Sequence, residues 1–122
     1  MDANKYQVKA ARTLIDRPDF EIPDNDIMLV WNAIGLAGEA GEVAELVKKA
    51  VFHRHGINGA FREKMVKELG DVLWYAAAMC TKLDMDLGVI MEVNIRKLEE
   101  RYPSGFSSQD SKRRVDAQEG AR

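Results

Sequence analysis

Four acidic residues share one spacing, Glu39 and Glu42 in "GEAGE" and Glu68 and Asp71 in "ELGD". On an α-helix, residues three apart lie one turn apart on nearly the same bearing. Each pair therefore projects two carboxylates from one helix face. Both pairs sit among small or apolar neighbours, and Asp71 opens directly onto the apolar run Val72 to Cys80. Four carboxylates converging at the edge of an apolar core repel one another and titrate abnormally unless a cation joins them. All-oxygen ligation selects a hard divalent ion, Mg²⁺ with Mn²⁺ as its substitute. One such spacing alone is ordinarily a solvated surface, but two on adjacent helices point to a metal. A hard ion held this way bridges protein carboxylates to substrate phosphates and helps to activate an attacking water.

Phosphate oxygens left over by a metal need cationic partners. Asn94, Lys97 and Arg101 in "NIRKLEERYP" supply them at i, i+3 and i+7, one stripe of a helix whose other side carries Ile95, Leu98 and Tyr102. Glu45, one turn beyond Glu42, is either a further catalytic carboxylate or a surface partner of Lys48 or Lys49. His53 and His55 stand in a loop, and neither lies three residues after a glutamate as di-iron bundles require; they receive no assignment. Among aromatic residues, Trp31 lies two turns before Glu39 and is the candidate for stacking on a base, while Trp74 reads as core or interface.

Helices must position these groups. Proline occurs only at Pro18, Pro23 and Pro103, and the interval between the last two is rich in Ala, Leu, Met, Glu and Lys. The pattern predicts helices over about residues 3–16, from Asp24 or Asn25 to about His53, over about 61–82, and from a cap at Asp84 or Asp86 to the "RYP" at Pro103. Residues 1–103 form the expected domain, and the polar tail 104–122 is expected to be flexible or to strap a partner subunit. Gly35, Gly38 and Gly41 keep one side of the second helix thin. The run "VLWYAAAMC" has no polar face, so it must be covered on all sides. So short a chain can hardly do that alone, which places the third helix at the centre of an oligomer.

Acidic residues number 20 against 18 basic ones, which disfavours a nucleic-acid-coating role. Cys80 alone can build neither a disulfide framework nor a cysteine zinc site. Met1 precedes polar residues instead of an apolar signal core, and no apolar stretch approaches a membrane span. A cytoplasmic protein is the expectation.

Taken in order, "GLAGEAGEVAELVKK", "VKELGDVLWY" and "NIRKLEERYP" resemble the MazG-like all-α nucleoside triphosphate pyrophosphohydrolases, over most of residues 4–106. That family carries E-E-x-x-E followed, after a spacer, by E-x-x-D. The resemblance implies a four- to five-helix bundle that is an obligate homodimer or homotetramer, with sites at subunit interfaces. It further implies Mg²⁺-dependent cleavage of a (d)NTP to the monophosphate and pyrophosphate, as house-cleaning of the nucleotide pool. By matching position, Glu39, Glu42, Glu68 and Asp71 would hold the metal, and Lys97 with Asn94 and Arg101 the phosphates. The first glutamate of the signature is Gly38 here, which leaves open the group that orients the water. A dUTP- or dCTP-restricted enzyme of the same fold, or a non-enzymatic oligomeric helical module, are the alternatives.

Overall fold

Two long helices joined by a seven-residue loop dominate the computed structural model, which describes residues 1–114 and 116–117. They are α2 (Asp24–Val51) and α3 (Gly59–Lys82); α1 (Ala3–Ala10) precedes them, and α4 (Leu87–Arg101) and α5 (Ser108–Arg113) follow. Among the described residues there is no strand, only an isolated bridge between Pro103 and Gly105. The protein is all-helical, as the sequence predicts.

Local chemistry sets the element ends. Asn58 caps α3 by accepting from the Phe61 N–H at 3.0 Å. The loop turns at Gly56, whose φ of +88° suits glycine, and its N–H donates to the Ala50 carbonyl at 3.0 Å. The two aspartates after α3 divide the work. Asp84 takes a left-handed conformation (φ +53°) as α3 ends, and Asp86 caps α4 by accepting from the N–H groups of Gly88 and Val89. Asn25 does not cap α2; its side-chain amide donates to the Lys82 carbonyl at 3.0 Å and ties the start of α2 to the end of α3. α1 is shorter than predicted. It tightens into a 3₁₀ turn at Ala11–Thr13, and Leu14 is already extended.

α2 and α3 form the only extensive interhelical packing among the described elements. Gly35 is its tightest point, since a Cβ there would fall 2.2 Å from the Tyr75 ring. Gly38 and Gly41 face open space in a single copy. Asn32 is buried and donates to the Met28 carbonyl at 2.7 Å. The only buried apolar residues among those described are Ala50 and Cys80. Val66, Leu73 and Trp74 on α3 remain 71%, 66% and 62% exposed, and Val30, Trp31 and Ile34 on α2 are exposed too. The apolar run of α3 is thus covered on one side only. Val8, Leu14 and Ile15, the expected apolar side of the first helix, also face solvent.

After α4 the chain folds back. Tyr102 and Phe106 bring their ring centroids to 5.4 Å, and Ser107 caps α5 by accepting from the Asp110 N–H at 3.0 Å. Asp116 returns to the last turn of α4, where its carboxylate accepts from Arg101 Nε at 2.6 Å and also from Nη2. The tail expected over 104–122 therefore includes a helix and an ion pair; residues 118–122 lie outside the described part.

Candidate metal and phosphate site

The hairpin brings Glu39 of α2 together with Glu68 and Asp71 of α3. One carboxylate oxygen from each lies within 4.8 Å of the others, with Glu39 and Glu68 half-buried and Asp71 exposed. Loss of solvation raises the pKa of Glu39 above its ordinary value, and the charges of Asp71, Glu68 and Glu42 push the same way. An all-carboxylate set in which each negative charge penalises the next suits a hard divalent cation. Glu42 is exposed and stands outside this trio, yet near enough to act on Glu39 electrostatically.

Beside the trio the hairpin encloses a cleft of about 350 Å³, bordered by Glu42, Glu45, Glu68, Lys49, His55 and Lys64. Glu45 is engaged there, with Lys48 Nζ at 2.7 Å and Lys49 Nζ at 3.3 Å. Those lysines hold its pKa down, so it is a weak proton acceptor. Of the two alternatives for Glu45, the lysine-paired geometry is the one present.

The remaining candidates are more dispersed. Asn94 and Lys97 are exposed on α4, which makes no extensive contact with the hairpin, so one copy does not assemble their stripe around the trio. Arg101 is held by Asp116. Trp31 is 65% exposed and does not border the cleft beside the trio. Trp74 packs edge-on against Tyr75 at 5.0 Å and borders a separate, mostly apolar cleft with Met28 and Ala77.

Two groups on the cleft wall had received no role from the sequence. Lys64 is four residues before Glu68, a helical spacing that already places both on one face. His55 joins the wall through the fold of the loop, which no helical periodicity foretells.

The MazG nucleotide pyrophosphohydrolase domain matches residues 32–106, and the chain belongs to that family. The match spans the acidic trio, the cleft and the whole of α4. The chain is also 37% identical over 106 residues to the Gene 37 protein of Mycobacterium phage L5, covering 86% of this chain and 92% of the phage protein. No solved structure matches it. No helix among the described residues is long and apolar enough to cross a membrane.

Proposed function

We propose that the protein is a cytoplasmic, divalent-cation-dependent pyrophosphohydrolase that cleaves a (d)NTP to (d)NMP and pyrophosphate. The observation that carries this proposal is the Glu39–Glu68–Asp71 trio at the heart of a MazG domain. These three residues hold Mg²⁺ or Mn²⁺, with Glu42, one turn along and without an ion pair among the described residues, as the fourth ligand. An ion held there would supply neutralisation of phosphate charge and acidification of an attacking water. Lys97, Asn94 and Arg101 bind the phosphate chain, and Trp31 is the stacking surface for the base. Glu45, held by its lysines, keeps positive charge at the cleft wall and contributes less to the reaction than Glu42.

A second copy completes the site. Exposed apolar residues on both helices of the hairpin, together with an α4 that stands off from it, support a homodimer or homotetramer in which α4 of one subunit meets the hairpin of another. Closing that surface would bury the apolar faces that one copy leaves wet, at about 25 cal/mol per Å².

The test is incubation with a panel of nucleoside and deoxynucleoside triphosphates and Mg²⁺, with analysis of both products. Release of monophosphate and pyrophosphate, lost in Glu68→Gln, is expected. No turnover of any substrate, or full turnover in Glu68→Gln, refutes the assignment. A non-enzymatic oligomeric module, the other reading that the exposed apolar surface favours, predicts no metal-dependent rise in melting temperature.

A further inference from the structure

A two-pronged ion pair lies on one of the residues assigned to phosphate. Arg101 stands in the last turn of α4, on the stripe shared with Asn94 and Lys97. Asp116 engages it through both carboxylate oxygens, one to Nε at 2.6 Å and the other to Nη2. The side chains of Arg101 and Asp116 are only 17% and 7% exposed. This edge of a guanidinium, two parallel N–H groups, is also the geometry that binds a phosphate bidentately. An acidic side chain and a phosphate cannot both occupy it.

The pairing is built in several steps. Tyr102 and Phe106 pack their rings, the Arg101 guanidinium lies 5.8 Å from the Tyr102 centroid, and the Ser107 cap starts α5. Arg114 then turns the chain through a left-handed conformation (φ +46°) just ahead of Asp116. The ion pairs Lys5–Asp2, Lys48–Glu45, Lys49–Glu45 and Arg113–Asp110 join groups three or four positions apart, whereas this one closes fifteen residues.

We propose that the C-terminal tail is an internal competitor for the substrate's phosphate chain: Asp116 occupies the phosphate-binding edge of Arg101 in the free protein, and a nucleotide triphosphate displaces it and releases the tail. The proposal rests on the phosphohydrolase assignment above. A triphosphate brings more negative charge than one carboxylate, and a neighbouring Lys97 adds to its hold. The tail therefore sets the concentration at which substrate is captured without touching the reacting atoms.

Steady-state kinetics of the full chain tests it. Asp116→Asn is expected to lower KM for the best triphosphate, on the order of fivefold, the worth of one competing ion pair, with kcat unchanged. Asp116→Glu, which keeps the charge, should restore the wild-type KM, and the Asp116→Asn effect should vanish in an Arg101→Ala background. Trypsin cleavage at Lys112, Arg113 or Arg114 should quicken when a non-hydrolysable α,β-methylene triphosphate saturates the wild-type protein with Mg²⁺. A KM that is raised or unchanged in Asp116→Asn, or cleavage that the analogue does not quicken, overturns the competitor role and identifies the pair as a structural clasp. Wild-type turnover separates the two levels: activity with an unmoved KM refutes the tail's role alone, whereas no turnover of any triphosphate removes the assignment and the tail's role together.

Discussion

Glu39, Glu68 and Asp71 answer to charge at close range, so their predictions concern protons and metal. Glu68→Gln should lower kcat/KM by at least about 100-fold, the scale of several kcal/mol of lost charge stabilisation. The same change should abolish the rise in melting temperature on adding Mn²⁺ or Mg²⁺. In the wild type that rise should reach about 2.7 kcal/mol of stabilisation at a hundred times Kd. Glu45→Gln should cost less activity than Glu42→Gln, because its carboxylate is already spent on Lys48 and Lys49. The pH dependence has two opposite signs. Without metal, the raised pKa of Glu39 gives a stabilising contribution that is complete below the unfolded value of 4.5 and lost as pH rises through the folded value. With metal, the ligands must be ionised, so the metal-induced shift in melting temperature should shrink as pH falls toward that raised value, earlier than for an unperturbed carboxylate. Melts with and without Mn²⁺ across this range check both signs.

Among the elements, the hairpin carries the stereochemical demand. Gly35→Ala should destabilise by about 1–3 kcal/mol, because the new Cβ meets the Tyr75 ring and the packed helices must shift. Gly38→Ala and Gly41→Ala meet nothing within 4 Å in one copy, and by helix propensity alone each should stabilise by up to about 1 kcal/mol. Urea unfolding of the three variants separates these cases. A loss of stability at Gly38 or Gly41 would show that the assembled protein packs another helix on that thin surface. The sequence marks all three glycines as candidates for a close approach, and within one copy only Gly35 makes one. Which glycine meets its neighbour within the chain is not legible from the sequence, because that depends on the register of α2 against α3.

At the scale of the whole molecule, the exposed apolar side chains and the detached α4 make one experiment decisive. Glu68→Gln and Lys97→Ala should each be inactive alone. Mixed and reassembled, they should regain activity, since in the proposed assembly one site of the mixed oligomer would draw its hairpin from the Lys97→Ala chain and its α4 from the Glu68→Gln chain. No recovery would mean that hairpin and α4 of the same chain form the site. Light scattering should find no wild-type monomer at micromolar concentration, and Leu73→Glu, which places a charge on the exposed side of α3, should dissociate the assembly.

The sequence by itself determined that the chain is helical, where α3 and α4 end, which family it belongs to and that two pairs of carboxylates share one helical spacing. Those properties follow from helical periodicity, capping and the order of short motifs, all local along the chain. Only the tertiary structure decided that Glu39, Glu68 and Asp71 meet closely while Glu42 stands aside, that Glu45 is tied to its lysines and that His55 lines the cleft. It alone showed Arg101 claimed by Asp116, fifteen residues on. Such pairings depend on how a loop turns and how two helices are set in register, and periodicity along one helix does not encode either.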